Sequence, residues 1–225
     1  MQANCRVPLG YVPAGTTNDM ANTLAIPKGI KRATQCILAG EPVPQDIGLF
    51  NKSLYFSYVA SFGAFTKVSY ATPQWLKNHF GHFAYVLDGI KRVGEIKPYR
   101  VKVESPKFSL EDNVVFGSVT NAKSVGGTFK MRDEDVCLND GKFEVMLIRN
   151  PHNPVDLRSI LYGLTHQKYD EEHVLFFHTD QITFTFPNEV PWTVDGEFAG
   201  DQKKVQIQNL PRAVSLIRRE ALSSC

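Results

Sequence analysis

Residues 181–186, Gln-Ile-Thr-Phe-Thr-Phe, alternate large apolar side chains with polar ones. Side chains in a strand alternate between its two faces, so Ile182, Phe184 and Phe186 are predicted to share one face of a strand. Six further segments share this enrichment in β-branched and aromatic residues between turn formers: 54–59, 100–103, 114–120, 143–148, 174–178 and 204–207. Seven short strands predict a β-rich sandwich or barrel.

The first 45 residues have a different texture. Residues 9–13 are predicted to form a short buried strand, 18–24 a helix capped by Asn18 or Thr17, and 30–38 a second helix that ends at Gly40. This order is typical of the end of an α/β layer. The sequence therefore predicts an α+β protein with domains at 1–45 and 46–225, the last residues being able to pack back on the N-terminal part.

One long helix is predicted inside the β-rich domain, from Pro73 to Val93. Its large apolar residues recur at spacings of three and four, which places them on one stripe of a helix. The helix is therefore amphipathic, and we expect it to lie on a core.

The composition is that of a globular protein, with 43% hydrophobic and 21% charged residues. The formal net charge of +2 and the lack of a basic tail do not point to nucleic acid. The N-terminus lacks the pattern of a secretory signal, and no apolar run is long enough to span a bilayer. The four cysteines have no Cys-x-x-Cys spacing, so we expect reduced thiols in a cytoplasmic protein.

The loop at residues 13–19, Pro-Ala-Gly-Thr-Thr-Asn-Asp, follows the predicted strand and opens the first helix. Backbone N–H groups converge at such a place and the helix dipole favours an anion, so the loop is a candidate phosphate site. An ordinary helix cap with Asp19 in its first turn is the alternative, and spacing alone favours it.

Two Asp-Gly dipeptides are predicted to form tight hairpins and carry candidate carboxylates. Asp140 follows an acidic cluster at 133–135, and such oxygens suit Mg²⁺. Asp195 and Glu197 flank Gly196 and could supply a general base for a hydroxyl nucleophile. Taken singly, a solvated acidic hairpin is the favoured interpretation of each.

A basic stretch runs from Lys67 to Lys107, with eight basic residues against three acidic ones. It is a candidate contact for an anionic membrane surface. A solvated helix face with ordinary lysines is an equally good interpretation.

Taken together and in order, these motifs resemble one family. Residues 10–21, Gly-Tyr-Val-Pro-Ala-Gly-Thr-Thr-Asn-Asp-Met-Ala, are similar to the second nucleotide-loop motif of the diacylglycerol kinase catalytic family, especially its soluble bacterial lipid kinase branch. Later segments resemble the same family in the same order: 55–63, 70–73, 97–101, 121–127, 138–143 and 194–197. The resemblance covers nearly the whole chain.

The resemblance implies a fold similar to that of NAD kinases, with an active site between an α/β domain and a β-rich domain. It implies transfer of phosphate from ATP to a lipid hydroxyl, as in the conversion of diacylglycerol to phosphatidate. By position, Gly15, Thr16, Thr17, Asn18 and Asp19 would form the nucleotide loop. Glu197 would be the general base, supported by Asp195. Asp140 with the backbone carbonyls of Cys137 and Lys142 would bind a structural Mg²⁺.

The chain departs from the family pattern in two respects. The Gly-Gly-Asp-Gly-Thr loop that holds ATP phosphates in the family is absent from the sequence, and Asn139 stands where the family usually has an aspartate. We therefore expect an N-terminally truncated lipid kinase with little or no activity alone, peripheral at the inner membrane face. The alternative is a non-catalytic lipid- or protein-binding module, with homodimerisation through exposed apolar edges; an NAD kinase relative is a weaker third reading.

Overall fold

In the computed structural model, the described residues are 7–15, 18–64, 97–126 and 129–219. Eleven strands are described: β1 Glu41–Phe50, β2 Leu54–Phe56, β3 Val59–Gly63, β4 Tyr99–Ser105, β5 Phe108–Thr120, β6 Ser124–Val125, β7 Phe129–Lys130, β8 Phe143–Arg149, β9 Val174–Thr179, β10 Gln181–Val194 and β11 Glu197–Arg218. The described helices are α1 Asp19–Thr23, α2 Ile30–Ala39, α3 Pro154–His166 and a 3₁₀ turn at Asp133–Asp135. The predicted helix at 73–93 lies outside the described residues.

Nine strands form one antiparallel sheet in the order β2-β1-β11-β10-β3-β5-β8-β9, and β4 pairs with both β10 and β5. Because β3 also pairs with both β10 and β5, β3 and β4 lie one after the other between these two longer strands. The β-rich prediction is confirmed, and the strand order is that of an open sheet. The short β6–β7 pair stands apart as its own ribbon.

Two apolar cores lie on opposite sides of the sheet. The inner core is rich in aromatic rings, and Phe62 and Trp192 are fully buried with ring centroids 4.8 Å apart. The outer core contains buried residues of α1, α2 and α3 packed on the sheet, such as Ala21, Ala33 and Ile160. Burial on both faces explains why β8 is apolar almost throughout.

Two sequence predictions for the N-terminal part need correction. The strand predicted at 9–13 is wrong: Leu9 forms only an isolated parallel bridge with Leu216. Asn18 stands at the N-cap of α1, but its side chain bonds the backbone of Gly15 and makes no hydrogen bond to the helix. The helices at 19–23 and 30–39, with Gly40 at the end of the second, are confirmed.

Strand β1 crosses residue 45, where the domain boundary is predicted. Its first half pairs with the end of β11, Glu41 opposite Arg218 and Gln45 opposite Val214. The end of β11, residues 214–218, therefore pairs with the N-terminal side of that boundary, while residues 207–210 of the same strand pair with 47–50 beyond it.

The cysteine prediction is wrong for Cys137, which is disulfide-bonded. Cys36 is a free, buried thiol. Among the described residues, no helix has both the length and the apolarity needed to cross a membrane.

Candidate functional site

A tight hairpin joins β10 to β11 at Asp195 and Gly196. Val194 lies opposite Glu197 in the register, and the two turn residues have φ of 48° and 88°. Positive φ at both central positions is what a type I′ turn requires, and Asp-Gly supplies it. The predicted hairpin is confirmed, and it leaves the Glu197 side chain exposed.

The Asp195 carboxylate fastens this hairpin to the bend between β2 and β3. Its Oδ2 accepts a hydrogen bond from the backbone N–H of Ser57 at 2.9 Å, and its Oδ1 accepts from Tyr58 and Val59 at 3.0 Å each. The backbone N–H of Asp195 in turn donates to the carbonyl of Val59 at 2.8 Å. A carboxylate so engaged is held in one orientation, so Asp195 is suited to positioning its neighbour Glu197.

Tyr58 connects the hairpin to α1. While its backbone N–H holds Asp195, its hydroxyl donates to Asp19 Oδ2 at 2.7 Å. The same hydroxyl accepts from the N–H of Gly126, also at 2.7 Å. Burial, with the adjacent charge of Asp19, raises the pKa of Tyr58 far above its ordinary value, so the phenol stays a protonated donor.

Asp19, a predicted loop residue, is 7% exposed and faces the β-rich region. Besides Tyr58, it accepts a hydrogen bond from the Ser124 hydroxyl at 2.7 Å. Gly15 and Asn18 are tied to each other by two hydrogen bonds of 2.9 and 2.7 Å. Thr16 and Thr17 lie outside the described residues.

The second Asp-Gly dipeptide does not form a hairpin, which corrects the prediction. Asp140 and Gly141 belong to a turn that leads into β8, and the exposed Asp140 carboxylate accepts from the N–H of Lys142 at 2.9 Å. The residue that anchors this turn is Asp46 of β1. Its oxygens accept from the N–H groups of Gly141 and Arg212 at 2.7 Å each.

Behind the turn lies a buried polar cluster that the sequence interpretation missed: Asp46, Asn121 and Glu144. Asp46 is 0% exposed, while Glu144 and Asn121 are each 1% exposed. Burial raises the pKa of Asp46, and burial with the nearby charges of Asp140 and Asp46 raises the pKa of Glu144 to about 9. A single acid inside the apolar run of β8 was the available signal, because an acid is seldom buried without a reason.

The cluster contains oxygen atoms that have no hydrogen-bond partner. They are Oε2 of Glu144 and Oδ1 of Asn121. Such orphaned buried acceptors, beside the turn of Asp140, fit a hard divalent cation with its water molecules. Among the described residues, one set of at least three potential metal ligands has all its ligand atoms within 4.8 Å of one another. It consists of Asp170, Glu172 and His173. The carboxylates of Asp46, Asp140 and Glu144 do not meet that distance together.

Two of the four basic residues in the described part of the basic stretch are paired with acids. Arg100 pairs with Glu111 at 2.8 Å and Lys102 with Glu104 at 2.7 Å. These exposed pairs reduce the positive potential that an anionic surface would meet. Most of the stretch, 67–96, falls outside the described residues, so membrane contact stays a prediction.

Solved structures share this architecture. A crystal structure of a diacylglycerol kinase from Bacillus anthracis str. Sterne matches with a TM-score of 0.67 and 18% identity, over 94% of this chain and 67% of that one. A second structure from the same organism matches with a TM-score of 0.79 and 22% identity, over 98% and 72%. At these identities the likeness establishes the class of fold.

Sequence comparisons identify the relatives. The profile of the diacylglycerol kinase catalytic domain matches residues 1–50. A diacylglycerol kinase of Bacillus subtilis (strain 168) is 30% identical over 196 residues, 87% of this chain and 64% of that protein. A probable lipid kinase YegS-like of Shewanella frigidimarina (strain NCIMB 400) is 27% identical over 217 residues, 96% and 69%. The chain is thus similar to bacterial diacylglycerol and YegS-type lipid kinases, and it spans 64% and 69% of these two proteins.

Proposed function

We propose that this chain carries the acceptor side of an ATP-dependent lipid kinase. Glu197 takes the proton of a lipid hydroxyl while the hydroxyl oxygen attacks the γ-phosphorus of ATP and ADP leaves. Asp195 holds the hairpin that presents Glu197. The observation that carries the proposal is the double role of Tyr58, which links Asp195 through its backbone and Asp19 through its hydroxyl. The base and the predicted nucleotide loop are thereby fastened to one residue.

The nucleotide side of the proposal is supported by a cavity of about 770 Å³ beside α1. Its lining includes Asp19 and three lysines, Lys28, Lys123 and Lys130. Lys123 is held by Asp133 at 2.9 Å. Cationic side chains next to the predicted loop at 15–19 suit the phosphates of ATP, whose transfer depends mainly on positioning and charge neutralisation.

A structural Mg²⁺ would be held at the Asp140 turn. Asp140 and the carbonyls of Cys137 and Lys142 are its proposed ligands, and the orphaned oxygens of Glu144 and Asn121 are suited to accept hydrogen bonds from its water. The ion would offset the charge of Asp140 and stiffen the turn.

The acceptor is a lipid of the diacylglycerol class, met at the inner face of the cytoplasmic membrane. A peripheral position follows from the amphiphilic substrate, and residues 67–107 remain the predicted contact. Homodimerisation is a further expectation that sedimentation velocity can check.

A non-catalytic lipid-binding module is the second candidate. It is favoured by exposed apolar side chains near the hairpin, such as Phe198 at 61% exposure. In that case the hairpin would hold a lipid without transferring phosphate to it.

The two candidates differ in a radiolabel assay with γ-labelled ATP, Mg²⁺ and a short-chain diacylglycerol. We expect slow transfer of label to the lipid, lost in Glu197→Gln and kept in the control Glu189→Gln, which changes an exposed acid of β10. Lipid binding without label transfer and without nucleotide binding would instead establish the binding module.

A further inference from the structure

A second cavity, of about 400 Å³, opens beside the hairpin, and its described lining residues differ from those of the lysine-lined one. Its lining brings together three parts of the chain: the segment at residues 9–11, the β1–β11 pair and the bend at 55–57. Met20 of α1 and Asp195 also line it. The roles proposed for the hairpin and for the loop at 15–19 do not involve this cavity.

The walls of this cavity are mostly apolar and are held by backbone pairing. Ile47 of β1 lies opposite Leu210 of β11, and both face the cavity. Leu9 is fixed to β11 by two backbone hydrogen bonds, to Ser215 and from Ile217. Such walls are formed by the sheet itself, so the cavity exists without a ligand to shape it.

Asp195 and Ser57 form one polar border of the lining, whose other polar side chains are Tyr11 and Tyr55. Asp195 and Ser57 are bonded to each other, since the N–H and hydroxyl of Ser57 both donate to Asp195 Oδ2. This border adjoins the hairpin that carries Glu197. An apolar cavity with one polar border suits an amphiphile whose polar group stays at the border.

We propose that this cavity binds one alkyl chain of the acceptor lipid and thereby places the lipid hydroxyl beside the Asp195–Glu197 hairpin. The inference rests on the proposed function, and it adds the position and length of the lipid chain. At about 30 Å³ for each small group, the volume admits on the order of a dozen methylenes. One medium-length chain fits, and a second chain of the same lipid stays outside.

The test is a chain-length series. Monoacylglycerols from butanoyl to tetradecanoyl are titrated into the protein calorimetrically without ATP, below their critical micelle concentrations. Each methylene that enters the cavity should tighten binding about fourfold, until a plateau where the cavity is full. If the affinity of the unmodified protein does not change with chain length, the proposal is overturned.

A cavity-filling variant locates the binding site. Ala213 is 9% exposed and lines the cavity, so Ala213→Phe should move the plateau to shorter chains, and the milder Ala213→Leu should move it less. Ala39→Phe, at the exposed end of α2, is the matched control and should leave the series unchanged. A plateau that stays in place in both Ala213 variants would show that the chain binds elsewhere.

The binding series and the kinase assay fail independently. Length-dependent binding without phosphate transfer would remove the proposed kinase function and leave the cavity as a lipid site. If phosphate is transferred but the KM for the lipid changes neither with chain length nor in Ala213→Leu, the kinase proposal stands and the proposal for this cavity is overturned.

Discussion

The two Asp-Gly turns of this protein have the same dipeptide but differ in which residue anchors the turn. At Asp195 the turn residue itself provides the anchor, because its exposed carboxylate holds three backbone N–H groups of the neighbouring bend. At Asp140 the turn residue bonds only its own loop, and the anchor is the buried Asp46 of another strand. A dipeptide thus predicts a turn, whereas the groups that fix the turn come from distant sequence.

The largest expected difference between the turns is in their response to pH. The pKa of Glu144 is raised from an ordinary 4.5 to about 9 in the folded protein. The folded protein therefore binds this proton more tightly than the unfolded chain does. Stability from this group is therefore complete below about pH 4.5 and is lost as the pH rises through about 9. Between pH 6 and pH 9 the free energy of unfolding should fall by up to about 4 kcal/mol.

Urea unfolding across this pH range, in the presence of a chelator, measures the effect. Glu144→Gln should flatten most of the slope, while Glu189→Gln should keep it. A wild-type slope that is flat from pH 6 to 9 would contradict the raised pKa of Glu144.

Next in size is the loss of the Asp46 anchor. Asp46→Ala removes the acceptor of two backbone N–H groups at a residue with no exposed surface, and we expect a loss of about 2–3 kcal/mol in the free energy of unfolding. Asp46→Asn keeps one acceptor oxygen and should lose less. Equal stability of the alanine variant and the wild type in urea would mean that the turn is anchored elsewhere.

The same change at the exposed anchor should cost less. Asp195→Ala also removes the acceptor of backbone N–H groups, but water can replace the carboxylate there, so about 1–2 kcal/mol is expected. Asp195→Asn, which tolerates the left-handed backbone of this position, is the matched variant. A cost larger than that of Asp46→Ala would reverse the ranking of the two turns.

The smallest difference is expected at the glycines. Gly141 and Gly196 have φ of 81° and 88°, and a methyl group added at either meets no atom closer than 3.6 Å. Gly141→Ala and Gly196→Ala should therefore cost about 1–2 kcal/mol each, from backbone strain alone. Melting curves that separate the two variants by several degrees would show that the turns differ in their backbones as well as in their anchors.

Much of the β structure was predictable from local patterns, but strand extents were not. The segment 181–186 was predicted from its alternation, yet β10 continues through Pro187 and Pro191 to Val194. Strand β1 escaped prediction because Pro42 and Pro44 argue against a strand. Pairing with β11 overrides that local preference, and only the three-dimensional fold supplies it.

The candidate site was predictable to a similar degree. The hairpin at 195–197 and the loop at 15–19 follow from turn chemistry and from the order of motifs. The bonds that join them through Tyr58 do not, because residues 19, 58 and 195 are distant in sequence. Asp46 and Glu144 were missed for the same reason: a carboxylate in a strand shows its role only when its neighbours are known.

The position of β11 in the sheet has a consequence for biosynthesis. This strand covers residues 197–218 and lies between β1 and β10. Until the ribosome has made those residues, the facing edges of β1 and β10 remain bare, although β1 was synthesised some 150 residues earlier (197 − 50 = 147). Bare strand edges are prone to pair with other chains, so the nascent protein is most vulnerable to aggregation just before its longest strand emerges.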